Sequence, residues 1–482
     1  MRPVDIAIVV VYLAAVVAVG IACRGRERSV DAYFTGHGMF HGSLGTLLVG
    51  LSIAATFFSG ISLVIYISSV YSSGIQIGVG LLALPIAWVV LRYWFLPRYL
   101  ADPWHQPYDI IEQRMGRTVR VVLSGMFILL RIGWMGVLIY APALVIMGTA
   151  NLGNEWLWPI VLGIGLSSTA YTVIGGIRGV ILTDAIQFVV IAGGMLFIGL
   201  FLFFKLDLST AEMVREMSAE GRLEWLNFSF DPTVTFTFWT VIFGMGISNI
   251  GSYLSDQMAL QRYLAAESPA AAIRSFTINI VGAILIVTSL IVIGLLLWLW
   301  YRHHPDPDLP EKADLVISYF ISKELPLGVS GLLIAAIMAA TMSSMTSGIN
   351  ALAGAVTNDW VARLGKPRSR ESLFKIGRTV SLILGIFSTI MAGFVDRLGS
   401  LLMGSQIVLG LFLGPMLACM CLAVVGGKFR TVETVSGLAA GLIAGGAVVL
   451  SPAVGLWVCP AGFLVSLLLP IGLRALRSTS TH

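Results

Sequence analysis

A chain of 482 residues that is 57% hydrophobic and only 11% charged, with a mean hydropathy of +0.90, is excluded from the ordinary soluble proteins and is expected to be an integral membrane protein. Its net charge of +5 is read as a signature of membrane orientation, and no nucleic-acid partner follows from it. The six histidines stand outside the apolar runs or near their ends, and Cys23, Cys419, Cys421 and Cys459 lack metal-ligand spacing, which argues against a metalloenzyme and for inert packing thiols.

Apolar runs of about 20 residues, enough to cross a bilayer as helices, recur thirteen times along the chain. They lie at residues 5–23, 43–68, 75–95, 121–149, 155–174, 178–203, 234–254, 276–300, 327–357, 376–395, 398–425, 432–449 and 454–473. No intervening stretch is long enough for a separate soluble domain, so 1–482 is expected to be one transmembrane domain. The first run resembles a signal peptide in following Met1-Arg2, but it is longer than an h-region of roughly 7–15 residues. Arg24, Arg26 and Arg28 follow it directly, and it is read as a retained helix. Of the thirty Lys and Arg, twenty fall in loops after odd-numbered spans or in the C-terminal segment and eight on the opposite side, with Arg92 and Arg131 inside spans. Arg120 and Arg262 are among the twenty. The bias predicts an N-terminus outside, a cytoplasmic C-terminus and an odd number of spans.

The second span carries Thr56, Ser59, Gly60 and Ser62 near its middle. It is expected to be interrupted, because freed backbone carbonyls are tolerated in a bilayer only around a cavity or an ion. In the fourth span Arg131 lies eleven residues past Arg120, about 16 Å at helical rise. It could present its planar fork to a substrate carboxylate, or be pinned by helix carbonyls and an aqueous vestibule. Between the fifth and sixth spans runs Gly175-Gly-Ile-Arg, followed by Asp184, read as the only carboxylate well inside a span. A charge at that depth needs a partner, which could be Na⁺, a proton or Arg178. The seventh span crowds three glycines, two serines and Asn249 between Phe243 and Tyr253 and is read as a second interruption; Asn249 and Gln406 are candidate substrate ligands. In the ninth, Ala340, Ser344 and Ser347 recur at i, i+4 and i+7 with Ser343 and Thr346 beside them. Such a hydroxyl stripe suits a hard cation such as Na⁺, although small and hydroxyl residues also serve close helix packing.

Taken together, Ser52-Ile-Ala-Ala-Thr56, Tyr140-Ala-Pro-Ala-Leu144, Gly175-Gly176 with Thr183-Asp-Ala-Ile-Gln187, Asp256-Gln257 with Gln261-Arg262, and Ala340-Thr-Met-Ser-Ser344 through Asn350 resemble the sodium:solute symporter family over about residues 5–425. The Ile and Gly of Gly175-Gly-Ile-Arg-Gly179 depart conservatively from the family's usual form. The resemblance implies an all-α leucine-transporter-type fold: a leading helix at 5–23, five helices at 43–203, their inverted counterpart at 234–425 and two additional helices at 432–473. It implies a Na⁺ site from the carbonyls of Ala54, Phe57 and Ala340 with the hydroxyls of Ser343 and Ser344, and a second from Asp184, Thr346 and Ser347. The expected function is Na⁺-coupled symport of a small polar organic solute by alternating access, with two Na⁺ and with Thr56, Ser59, Arg131, Asn249 and Gln406 around the solute. Asn249 matches a sugar-contacting position, yet the sugar carriers' lysine falls at Ala283, and Arg131 lies about three residues from the sialic acid carriers' arginine. Sugar and small carboxylate, such as a sialic acid or monocarboxylate, both stay open. A solute sensor of the same fold is the alternative; a channel would need repeated polar rings that are not seen.

Overall fold

The computed structural model describes residues 3–479 apart from 24–32, 37, 151, 327, 366–367, 395–400 and 428. Arg24, Arg26 and Arg28 therefore lie outside the described residues. Regular structure is helical throughout the described residues, save one isolated bridge between Phe40 and Ala266. The chain opens with α1 (Pro3–Ala22), then α2 (Gly42–Phe57) and α3 (Gly60–Ser73), which meet at a 59° bend over Phe58 and Ser59. This is the predicted interruption of the second span. Ser59 caps α3, its Oγ accepting from the Ser62 N–H. A Cβ on Gly60 would come 2.5 Å from Thr341 Oγ1, so glycine lets the broken end press against the hydroxyl-bearing helix.

The helical segment Ile75–Tyr99 is α4, with 3-10 and π turns. A short α5 (Asp109–Met115) precedes α6 (Arg117–Ala150). Next comes α7 (Leu157–Lys205), whose 49 residues would extend roughly 73 Å at 1.5 Å per residue, far beyond one bilayer core of about 30 Å. Gly176, at φ 54° and ψ −159°, divides it where the Gly-Gly loop was expected.

After α8 (Thr210–Ala219), a π turn at Thr240–Met245 leads into α9 (Gly246–Leu254) and then α10 (Gln257–Ala265). Here the expectation needs correcting. The glycines between Phe243 and Tyr253 stay helical, and the break falls at Ser255-Asp256, where Asp256 Oδ1 accepts from the Met258 N–H at 2.8 Å. Gly244 and Gly251 serve close packing, against Leu456 and Leu413.

The chain continues through α11 (Pro269–His303), α12 (Ala313–Glu324), α13 (Val329–Gly354) with a π segment to Val361, α14 (Arg370–Ala392), α15 (Leu401–Val425), α16 (Thr431–Val449) and α17 (Val458–Thr479). Ten helices are long and apolar enough to cross a membrane, or eleven with the bent pair as one span, among the described residues. The thirteen expected spans are thus not reproduced by that count.

At the centre lies α13, buried along nearly its whole length between α7, α6, α2 and α14. Its start is capped from the far end of the sequence: Asp5 Oδ1, in α1, accepts the Gly328 and Gly331 N–H groups at 3.0 Å each. Where α5 lies, Arg120, fully buried, gathers Asp109, Glu112 and Asp359 at 2.5–2.8 Å, and Arg363 adds to Glu112 at 2.7 Å. The reading of Arg120 as a loop cation is therefore corrected: three acids compensate its burial.

Two measurements test these anchors. Asp5→Ala is expected to lower stability by about 1 kcal/mol, the usual worth of a lost helix cap, with Asp5→Asn milder in thermal unfolding. Burial alone would raise the Glu112 pKa, but Arg363 and Arg120 outweigh it and hold the carboxyl below its ordinary value. A depressed folded pKa stabilises above the unfolded value of about 4.3 and the gain is lost as pH falls through the folded one. The stability deficit of Glu112→Gln at pH 7 should accordingly shrink as pH drops below about 4.

Candidate functional site

The end of α2 sets its last carbonyls against the hydroxyls of α13. Ser343 Oγ lies 2.9 Å from the Ala55 carbonyl oxygen and 3.0 Å from that of Ala340; Ser344 Oγ lies 2.8 Å from Thr56 O and 3.2 Å from Ala340 O. Each hydroxyl has a single proton to donate. Five oxygens thus gather around two protons, a surplus of lone pairs in a buried place that a hard cation suits. Of the expected ligands, Ala340, Ser343 and Ser344 meet here. The carbonyls facing the hydroxyls are those of Ala55 and Thr56, while Ala54 O accepts from the Phe58 N–H at 3.2 Å and Phe57 closes the helix.

Beside this nest stands Asp184 of α7, fully buried. Its Oδ2 accepts from Ser52 Oγ at 2.7 Å, from Arg262 Nη2 at 2.8 Å, and from Thr56 Oγ1 and Ser347 Oγ at 3.3 Å each. Oδ1 has no partner. The Thr346 hydroxyl donates to Ser343 O at 3.2 Å. Thr56 joins the two clusters, its carbonyl meeting Ser344 and its hydroxyl meeting Asp184 and Ser347.

Arg262 is the residue that sequence reasoning misplaced. Counted among loop cations, it lies fully buried on α10, with Nε donating to Ser52 Oγ at 2.8 Å, Nη1 to Met258 O at 2.8 Å and Nη2 also meeting Ser347 Oγ. It, rather than Arg178, is the base paired with Asp184. The available signal was electrostatic: a carboxylate at that depth requires a buried base, and Arg262 sits in a helix-length segment next to the second break. Asp256 and Asp359 are further buried carboxylates, so Asp184 is not alone in the interior.

A cavity of about 150 Å³ opens against the break. Thr56, Ser59, Arg131, Asn249 and Gln406, the five residues expected around a solute, all line it, and Ser344 does so as well. Ion nest and cavity therefore share Thr56 and Ser344. Arg131 is paired with Asp256, the cap of α10, and its guanidinium stands 5.7 Å from the centre of the Phe127 ring.

Residues 33–445 match the sodium:solute symporter family. The chain is 30% identical over 443 residues to the human sodium/iodide cotransporter, with 88% of this chain and 65% of that protein aligned. To the sodium/sialic acid symporter SiaT of Proteus mirabilis it is 30% identical over 392 residues, covering 79% and 76%. The structure of a Na⁺-coupled sialic acid symporter in a substrate-bound outward-open state superposes with a TM-score of 0.90 at 25% identity, covering 98% of each chain. Mhp1, a nucleobase-cation-symport-1 family transporter, shares the fold at a TM-score of 0.58 and 15% identity, with 90% and 93% covered.

Arg262→Gln would leave Asp184 buried without its base, a loss of about 3–5 kcal/mol for a broken buried pair. The expected outcome is a lower melting temperature in choline and a larger rise on adding Na⁺ than wild type shows. Asp184→Asn in the same protein should recover much of the loss and remove the extra Na⁺ response.

Proposed function

Because the chain belongs to the sodium:solute symporter family, we propose that it is a secondary active transporter, a multi-pass membrane protein that couples movement of a small polar organic solute to Na⁺ by alternating access. The observation that carries this reading is the oxygen nest between Ser343, Ser344 and the broken end of α2, sharing two residues with a polar cavity. The first ion is held by Ala54, Phe57, Ala340, Ser343 and Ser344. The carbonyls nearest the two hydroxyls in the structure are those of Ala55 and Thr56, so this ligand set requires the last turn of α2 to repack on ion binding. A second ion takes Asp184, whose Oδ1 is open, with Ser347 and Thr346. Thr56, Ser59, Arg131, Asn249 and Gln406 surround the solute, a sugar or a small carboxylate such as a sialic acid or monocarboxylate; the relatives named above carry iodide and sialic acid.

The architecture behind this is a 5+5 inverted repeat with a leading helix and two additional helices. Dividing α7 at Gly176, counting the bent pair α2/α3 once and adding the pair α9/α10 raises ten apolar helices to thirteen spans. The two broken spans then open the two repeats, which puts both sets of unpaired helix ends at mid-depth. The N-terminus faces outside and the C-terminus the cytoplasm; the Lys/Arg bias survives removal of buried Arg120 and Arg262 from the count. Na⁺ bound at the junction of α2 and α13 holds the outward-facing arrangement, solute closes it, and release into low cytoplasmic Na⁺ drives the return. The membrane potential adds about 2.3 kcal/mol per charge per 100 mV.

In proteoliposomes, solute uptake should depend on an inward Na⁺ gradient. Ser343→Ala and Ser344→Ala should each raise the half-saturating Na⁺ concentration about tenfold, the equivalent of one lost hydroxyl ligand at about 1.4 kcal/mol. Unchanged Na⁺ affinity in both variants would rule the site out. Reversal of flux at balanced gradients should give two Na⁺ per solute.

A further inference from the structure

Arg131 is the only charged side chain facing the solute cavity among the described residues. It is 4% exposed, and its Nη2 contacts Oδ2 of Asp256, which is fully buried and stands behind the cavity wall. Neither has another ion-pair partner among the described residues. Asp256 is also held in place from the other side, since its Oδ1 takes the Met258 N–H at the start of α10. The remaining polar side chains lining the cavity are uncharged, the hydroxyl of Ser59, the amides of Asn249 and Gln406 and the indole of Trp134 among them.

The charges of Arg131 and Asp256 cancel, so the side chains facing the cavity carry no net charge of their own. A carboxylate that engages Arg131 meets one of two costs. If Arg131 keeps Asp256, a second anion is brought close to a buried first one. If Arg131 changes partner, Asp256 is left in the interior with one backbone N–H for company. Arg120 does hold three acids on one guanidinium, but a second arginine lies beside it and two of its acids are partly exposed. Nothing comparable relieves Arg131. An uncharged hydroxyl or amide meets neither cost: Arg131 Nε is buried without a hydrogen-bond partner among the described residues and can donate to it, and Asn249 and Gln406 offer both donors and acceptors.

Resting on the proposed solute site, we infer that Asp256 is a specificity-determining residue: by neutralising Arg131 it makes the cavity select uncharged polar solutes over carboxylates. The solute of this chain thereby differs in charge from the sialic acid named for its relatives.

The test compares acid and uncharged forms of one molecule, lactate with lactamide and N-acetylneuraminate with its methyl ester. Binding to the purified full chain is read directly and by thermal stabilisation, in Na⁺ and in choline. Wild type is expected to bind the uncharged member of each pair more tightly. Asp256→Asn, which keeps the cap oxygen, is expected to bind the acid about tenfold or more tightly than wild type does, a gain that disappears in Arg131→Gln/Asp256→Asn. Asp256→Ser runs in parallel in case the asparagine variant does not fold. Preference of wild type for the acid overturns the assignment, as does a folded Asp256 variant whose ratio of acid to uncharged binding is that of wild type, the result a merely structural ion pair would give. A preference for the uncharged form that is identical in Na⁺ and choline supports the role of Asp256 while removing the Na⁺ coupling proposed for the site.

Discussion

A bilayer interior supplies no water to satisfy an interrupted helix, so every carbonyl released at the break between α2 and α3 must be met by the protein itself or by something it binds. The α13 hydroxyls meet two of them, Ala55 through Ser343 and Thr56 through Ser344. That contact holds the break against a helix buried along nearly its whole length. It also falls short in a specific way, because two protons serve five oxygens. A hydrophobic helix in place of α13 would leave the break unsatisfied, and a helix bearing amides or amines would fill it with donors. Hydroxyls alone close the gap in part while leaving lone pairs for a cation.

The buried charges follow a second pattern that links the sites. Three arginines are withdrawn from water, Arg120, Arg131 and Arg262, and each is matched to an acid on another element. The nine-residue helix α10 lies at the meeting point of all three pairings. Arg262, on its length, reaches Asp184; Asp256, at its cap, holds Arg131; and Gln257, in its first turn, donates to Asp359 at 2.9 Å, the same acid that Arg120 takes through its other oxygen. A helix this short has little cohesion of its own. Its place is set by these polar contacts together with its buried Met258, Leu260, Tyr263 and Leu264, and it links the Asp184 cluster, the cavity wall and the Arg120 network through residues of one short element.

What could be read from the residues divides along physical lines. The first break was legible because Ser59 and Gly60 interrupt an apolar run and the local chemistry itself does the breaking: Ser59 caps, Gly60 permits the approach. The second was misplaced by ten residues or so because glycine has two uses in a membrane helix, breaking it and letting neighbours close in, and Gly244 and Gly251 are of the second kind. Only the capping carboxylate of Asp256 marks the true break. The hydroxyls of α13 and the five cavity residues were recoverable because polar groups inside spans have few reasons to be there. Arg262 was lost because hydropathy treats a polar nine-residue segment as a loop, and burial of such a segment depends on partners distant in sequence, Ser52 at 210 residues' separation and Asp184 at 78.

The same bookkeeping of charge bears on how a second ion would be sensed. Asp184 already has one full positive charge on Oδ2, from Arg262, while Oδ1 is open. A Na⁺ placed at Oδ1 would put two cations on one carboxylate in a medium that screens poorly. The arrangement is relieved if Arg262 loosens, and Arg262 cannot loosen alone: its other donors hold Ser52, at the start of the sequence leading into the break, and Met258, in the first turn of α10. Ser52 and Thr56 lie one turn apart on α2, and Thr56 carries both the carbonyl that faces Ser344 and the hydroxyl that faces Asp184. On the two-ion reading proposed above, occupation of the Asp184 cluster would reach the oxygen nest through one turn of α2 and the wall of the cavity through α10. Neither route requires a long-range relay, since each consists of side chains and backbone groups already in hydrogen-bond contact.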